Sequence, residues 1–258
     1  MPPPPPPPQR NIVTEIQAWL MALPIVTRFL FVSTITITLV CNIGLISPQY
    51  MIFRLPLVVY KLQVWRLFTA FFVNQLSFNF LIHLYFLYQY SKNLETSLFS
   101  NRPADYAFFI AFSMATILIL GWIVNSVSFS ESLLLAIIYV WSQYFREMDV
   151  SFMFGVRFKA VFLPWAMVAM DYLMGYGLNI GKVVGILVGH FYYFLEKVYP
   201  ESNGQAKILQ TPAIFERFLP SNQQGGDGQG YTFTPPNRQN GPNGPNNGGH
   251  SWGPGRRL

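Results

Sequence analysis

Apolar runs recur along this chain with few charges inside them, and that pattern decides the solvent. The runs cover 29–46, 78–90, 106–124, 133–141, 161–174 and 183–198. Over the whole chain 52% of residues are hydrophobic and only 11% are charged, whereas a soluble domain carries about 25% charged residues. So few charges cannot cover the surface of a water-soluble fold of 258 residues. Soluble globular, disulfide-rich secreted and wholly disordered classes are excluded, and a multi-span helical membrane protein remains. Six spans are expected. Several fall short of the ~20 residues that cross an average bilayer, 133–141 most of all. A short span is buried among other helices, extended by polar residues, or matched by a thinner bilayer.

The cations orient the spans. With both termini in the cytosol, 13 of the 17 Lys and Arg residues lie on the cytosolic side, and only Arg54, Lys61, Arg66 and Lys182 lie opposite. The positive-inside rule selects that orientation. A net charge of +6 then reports topology, and no nucleic-acid partner is expected. The first run has no cleavage site after it and reads as an uncleaved signal anchor. Before it, Ile12, Ile16, Trp19, Leu20 and Leu23 recur at helical spacing, which suggests an amphipathic helix in the membrane surface. Residues 47–77 are rich in Phe, Leu and Val but broken by Pro48, Arg54, Pro56, Lys61 and Arg66. They are too apolar for a solvated loop and too charged for a span, so a half-inserted loop is expected on the far side.

The ends differ in kind. Residues 1–11 form a proline-rich extension, with Pro2–Pro8 as polyproline II. The membrane domain runs over 12–200. In the juxtamembrane segment 201–220, Thr211 and Pro212 read as the cap and first position of a helix reaching Leu219. From 221 to 258, Gly, Asn, Gln and Pro supply 25 of 38 residues. Such a segment cannot bury enough apolar surface to offset chain entropy, and a disordered cytosolic tail is expected.

Few residues carry candidate chemistry. Cys41 is the single cysteine, which excludes an intramolecular disulfide and a Cys-x-x-Cys site. His83, His190 and His250 lack His, Cys or carboxylate neighbours at ligand spacing, so no metal and no other cofactor is expected. Trp65-Arg66 reads either as an interfacial anchor pair or as an arginine pinning its loop to polar atoms. Gly185 and Gly189 make a Gly-x-x-x-Gly that lets another helix approach closely. His190 follows it inside an apolar run, where an ionisable group is costly and often functional. Ser130 or Ser132 could complete a Ser–His dyad, yet neither lies in a Gly-x-Ser-Gly, and a polar helix end is the plainer reading. In the tail, Trp252-Gly253-Pro254-Gly255-Arg256-Arg257-Leu258 sets two apolar anchors on a flexible peptide, as a docking motif would.

These segments, in order, resemble the Derlin family, the rhomboid-like pseudoproteases of endoplasmic-reticulum quality control. The likeness runs from about Glu15 to Leu219. It is carried by Leu23-Pro24-Ile25-Val26-Thr27-Arg28, Gln63-Val64-Trp65-Arg66-Leu67, Phe78-Asn79-Phe80-Leu81, Phe86-Leu87-Tyr88 and Leu94-Glu95. It continues through Arg102-Pro103-Ala104-Asp105-Tyr106, Tyr139-Val140-Trp141-Ser142 and Phe162-Leu163-Pro164-Trp165. Gly185, Gly189-His190, Phe194-Leu195-Glu196 and Lys207-Ile208-Leu209-Gln210-Thr211-Pro212 complete it. The last seven residues resemble an SHP box, with Trp252, Gly253, Gly255 and Leu258 as its fixed positions.

The resemblance implies an all-α, six-transmembrane-helix rhomboid-like fold with a half-inserted first lumenal loop, in the endoplasmic-reticulum membrane. It implies a protein without catalysis. Active rhomboids carry Gly-x-Ser-Gly where this chain has Ser130-Glu131-Ser132-Leu133, and Asn79 and His83 stand where their second-span oxyanion residues belong. Acyl transfer without a placed nucleophile and oxyanion donors loses its main barrier-lowering interactions. His190 then reads as a relic. The implied function is retrotranslocation of misfolded proteins for ubiquitin–proteasome degradation, and the short spans suggest local membrane thinning as its mechanism. The implied partners are the valosin-containing AAA+ ATPase through the SHP box, a membrane ubiquitin ligase complex, the misfolded clients, the lipid bilayer and further copies of the chain. An active intramembrane serine protease and a closed homo-oligomeric channel are the alternatives.

Overall fold

In hydrocarbon every backbone polar group must be satisfied internally, so apolar runs fold as helices. The computed structural model describes residues 12–152, 155–175, 177–203 and 209–219. The chain divides into one unit over Met1–Asn222 and a second over Gln223–Leu258. The proline-rich extension, the tail and its SHP residues Trp252, Gly253, Gly255 and Leu258 lie outside the described residues. Helix α1 is Ile12–Met21 and α2 is Ile25–Asn42. Two helical pieces, α3 (Leu55–Lys61) and α4 (Arg66–Thr69), occupy the segment before α5, Phe78–Asn93. Then come α6 (Pro103–Ile123), α7 (Ser130–Tyr144), α8 (Leu163–Leu173), α9 (Ile180–Tyr193), α10 (Tyr199–Asn203) and α11 (Ala213–Phe218). Of these, α2 and α6 are long and apolar enough to cross a membrane by themselves.

Each expected run holds a helix, with shifted ends. The first was expected over 29–46, but α2 starts after Pro24 and stops at Asn42. Pro24 contributes no side-chain cap. The cap comes from Glu95, in the π-helical segment Leu94–Leu98 that extends α5. Its carboxylate accepts from the Val26 and Thr27 amides (3.0 and 2.7 Å) and from the Thr27 hydroxyl (2.7 Å). Ser91 joins Thr27 (2.8 Å) to the Tyr106 hydroxyl (2.7 Å), so α2, α5 and α6 share one buried polar knot. A negative carboxylate at a helix N-terminus satisfies orphan donors and opposes the positive end of the dipole.

The expected short run 133–141 is the centre of the molecule. Within α7, Ser130 and Ser132–Ser142 are all buried. Its closest neighbour is α9, and glycine is the reason. A Cβ on Gly185 would collide with the Ser132 carbonyl oxygen and lie 2.9 Å from Leu135 Cβ; one on Gly189 would lie 2.9 Å from Tyr139 Cβ and 3.0 Å from the Ala136 oxygen. A Cβ on a third glycine one turn earlier, Gly181, would lie 3.2 Å from Ser132 Oγ. The helix starts at Ile180, earlier than the expected 183, and so carries Lys182 within it.

Three other differences have local causes. The all-α expectation misses an antiparallel hairpin, Asp149–Ser151 with Arg157–Lys159, too short to leave a period-two signal. The fifth run is a 3-10 turn (Ala160–Phe162) followed by the eleven residues of α8. Thr211 does not cap α11; its hydroxyl donates to Asp105 Oδ1 at 2.6 Å, and extended Pro212 occupies the cap position. At the other end, α1 buries none of its residues. Trp19 packs edge-on against Phe31 (5.7 Å) and beside Tyr88 (5.5 Å), while Ile12, Val13 and Ile16 stay exposed.

Gly185→Leu should lower the thermal stability of the purified protein by about 1–3 kcal/mol or more, because a backbone carbonyl cannot move aside. Thermal unfolding in mild detergent measures this, and a wild-type midpoint would contradict the packing. Glu95→Ala, which orphans two buried amides, should cost about 1–3 kcal/mol per amide, and Glu95→Gln less; the same measurement decides.

Candidate functional site

Four helices contribute polar side chains to one end of the bundle, where α5, α7 and α9 begin and α8 ends. Ser130 Oγ lies 3.3 Å from His83 Nε2. His83 Nδ1 lies 3.4 Å from Glu131 Oε1. The other Glu131 oxygen lies 3.4 Å from Lys182 Nζ, which lies 2.7 Å from Asp171 Oδ2. Ser130, His83, Asp171 and Lys182 are buried. The result is one chain, Ser130–His83–Glu131–Lys182–Asp171. Buried charges at this spacing persist only when paired, since the unpaired state is strongly destabilised.

The sequence marks Ser130 and His83 separately, and nothing local in it joins Glu131 and Lys182 to them as partners. A signal was available. Asp171 and Lys182 flank the same turn between consecutive apolar runs, so antiparallel helices put them at one depth.

The Ser130–His83 pair replaces the dyad that the sequence offered. His190 bonds Tyr139 Oη through Nδ1 at 2.8 Å and is exposed. It sits eight residues beyond Lys182 on the same helix, roughly 12 Å away at 1.5 Å per residue. Serine beside imidazole beside carboxylate is the arrangement of an acyl-transfer triad, in which the imidazole takes the serine proton and the carboxylate orients the ring. Access is another matter. The space beside Ser130 and His83 is about 10 Å³, walled by Leu30, Phe71, Phe72, Leu87, Leu133 and Leu134. That is room for one water and not for a peptide carbonyl. Glu131 also divides its carboxylate between His83 and Lys182.

Asn79 stands apart from the serine. It lines a cavity of about 90 Å³ between α5 and α8, with Phe78, Phe86, Met170, Asp171 and Lys182.

Trp65 and Arg66 lie in the folded segment 47–77. Arg66 is 2% exposed and donates from Nε to Gln63 Oε1 (2.7 Å) and from Nη1 to the carbonyls of Gln49 (2.6 Å) and Ile52 (2.8 Å). Burial, and then the nearby Arg54 charge, press its pKa below the ordinary arginine value. Trp65 Nε1 donates to the Tyr50 carbonyl at 3.3 Å, with its ring half in the open. The segment is tied to its surroundings through backbone. Phe53 N–H donates to the Val127 carbonyl (2.9 Å), and Phe129 N–H to the Ala70 carbonyl (3.0 Å). The Thr38 hydroxyl of α2 donates to the Phe72 carbonyl at 3.0 Å.

Such a fold belongs to a class: a mostly helical chain with membrane-length apolar helices around one buried central helix. Within that class the Der1-like family model matches residues 23–213, and the chain belongs to this family. It is 40% identical to Derlin-1 of Homo sapiens over 250 residues, which cover 95% of this chain and 99% of the relative. Derlin-1 of Drosophila melanogaster is 36% identical over 85% of this chain and 90% of its own length. A probable derlin-2 homolog of Dictyostelium discoideum is 35% identical over 80% and 84%.

Arg66→Ala removes three donated hydrogen bonds and should loosen 47–77 selectively. Amide hydrogen exchange should speed at least tenfold across that segment while α7 and α9 exchange as in the wild type. Unchanged exchange in 47–77 would mean that the backbone ties alone hold it.

Proposed function

We propose that this chain is a catalytically inactive rhomboid-like protein of the endoplasmic-reticulum membrane that helps retrotranslocate misfolded proteins for ubiquitin–proteasome degradation. It crosses the bilayer six times with both termini in the cytosol, the Ser130 end lumenal and the Glu95 end cytosolic. Membership of the Der1-like family supports this reading. So does the enclosure of Ser130, which leaves this imidazole-paired serine without room for a substrate.

The observation that carries the mechanism is helix height. The 11 residues of α8, which exposes Trp165, Tyr172 and Leu173, rise only ~16 Å, against a hydrocarbon core of ~30 Å. A scaffold shorter than its bilayer thins the lipid around it, and a thinner bilayer lowers the cost of moving a polar chain across. The segment 47–77 forms the half-inserted lumenal rim, with Trp65 at the interface and Arg66 holding the loop closed. The force comes from the cytosol. Trp252, Gly253, Gly255 and Leu258 form the SHP box that docks the valosin-containing AAA+ ATPase, and the tail keeps that ATPase at high effective concentration. A membrane ubiquitin ligase, or further copies of this chain, complete the passage.

A second reading is favoured by one observation. The order Ser130, His83, Glu131 is that of an acyl-transfer triad, which would suit an intramembrane serine protease.

A client-degradation chase in cells separates the two. Ser130→Ala and His83→Ala should leave the client half-life within about twofold of wild type at equal expression. Arg66→Ala should lengthen it severalfold. Loss of degradation in Ser130→Ala, with normal folding, would transfer the function to the protease. Trp252→Ala or removal of Leu258 should abolish co-purification of the ATPase, whereas Arg257→Ala should weaken it only at higher salt, since rim charges act mainly on encounter. Full recruitment by a chain ending at Pro220 would show that the tail is not the dock.

A further inference from the structure

A groove of about 480 Å³ lies where the segment 47–77 meets the end of α6. Small-molecule sites span roughly 300–1,000 Å³. One wall is residues 53–57, and the other is Trp122 with residues 125–127. The Phe53 N–H bond to the Val127 carbonyl (2.9 Å) and the contact of the Phe53 and Phe129 rings (5.3 Å) join the two walls, so the groove is preformed. Arg54 is the one charged residue in its lining. That guanidinium is exposed and makes no hydrogen bond or ion pair among the described residues. No carboxylate is supplied nearby in the chain. Residues 47–77 hold Arg54, Lys61 and Arg66 without an Asp or Glu, and residues 124–130 hold no charge. The Arg54 charge already works against that of Arg66. Asn125 lines the facing wall, in a left-handed turn (φ 55°) that asparagine tolerates well, and brings its amide N–H donors there. The remaining lining is mostly apolar. Helix α6 is long and apolar enough to cross a membrane, and Trp122 and Ile123 at its end are exposed. Tryptophan favours the membrane–water interface, so the groove opens at headgroup depth.

We infer that this groove binds an anionic glycerophospholipid, with Arg54 and Asn125 on its phosphodiester and an acyl chain against Leu55, Leu57 and Trp122. A guanidinium presents a planar fork of donors that matches two phosphate oxygens at once. The apolar walls suit a lipid better than a soluble phosphate, which has nothing to lay along them. A phosphocholine headgroup fits less well, because it brings another cation to a segment that already holds three. The bound lipid fixes 47–77 at the headgroup layer beside α6. This site requires only that α6 spans the bilayer, and it stands whether or not the chain retrotranslocates proteins.

The full chain in phosphatidylcholine nanodiscs, with a trace of lipid carrying a photo-reactive group in its acyl chain, tests this. The labelled lipids are phosphatidylglycerol, phosphatidylcholine and diacylglycerol, the last without a phosphate. Cross-links are mapped by peptide. Phosphatidylglycerol should label residues 53–57 and 122–127 about tenfold more than diacylglycerol, as one hydrogen bond to a charged group would give, and severalfold more than phosphatidylcholine. Arg54→Gln should remove the excess. Lys61→Gln, which neutralises a cation of the same segment outside the groove, should keep it. The wild-type series decides even if a variant fails to fold. Equal labelling by the three lipids would overturn the site. So would an excess that Lys61→Gln lowers as much as Arg54→Gln, since surface charge alone would then explain it. Inorganic phosphate and a glutamate-rich peptide are then added in turn at constant ionic strength, and the excess should survive both. Loss to phosphate would assign the groove to a soluble anion, loss to the peptide would assign it to an acidic protein segment, and either would overturn the lipid.

Discussion

The close approach of α7 and α9 is the contact on which the rest of the molecule depends. Gly185 and Gly189 present no side chain, so the Ser132 and Ala136 carbonyls of α7 lie directly against the α9 backbone. That distance places Lys182 beside Glu131 and, through it, next to His83 and Ser130. Spread the helices by one side chain and the ammonium loses a carboxylate in a medium of low dielectric, where the loss is not made good by water. Dispersion along the glycine face and the ion chain at its end therefore stabilise each other, and neither is independent of the other.

The same requirement governs the helix ends. A helix terminus carries orphan amides or carbonyls, and hydrocarbon supplies no replacement for them. At one end of the bundle Glu95 reaches from α5 to cap α2, and its own burial is supported by the Thr27, Ser91 and Tyr106 hydroxyls. At the other end the guanidinium of Arg66 collects the carbonyls of Gln49 and Ile52. Glu95 and Arg66 thus each satisfy backbone groups far from themselves in the chain.

What was legible in the sequence follows from this. Hydropathy locates the helices, because apolar composition depends on the solvent alone. It fails at their ends, because the start of α2 is capped by Glu95, 69 residues from Val26, through contacts that composition does not report. The glycine pair was legible as a motif, though its partner helix was not. His190 drew attention because it lies within an apolar run, but it is half a helix too far from Ser130 and turns to Tyr139 instead. His83 was noticed only as a departure from a resembling pattern. Its link to Glu131 joins residues 48 apart, and no local period encodes such a pair. Hydropathy marks the last run only from Val183, three residues after the helix begins at Ile180, and so leaves Lys182 in the loop.

Helix height carries the functional reading, and it is uneven around the molecule. The 21 residues of α6 rise ~31 Å, a full hydrocarbon core, while α8 rises ~16 Å, or ~22 Å with the 3-10 turn before it. The bilayer should therefore be thin on one side only. Cryo-electron microscopy of the full chain in lipid nanodiscs measures this directly, as the separation of the two headgroup layers beside each helix. The expected result is a separation several ångströms smaller beside α8 than beside α6. Equal separation all round, at the thickness of protein-free discs, would contradict the account.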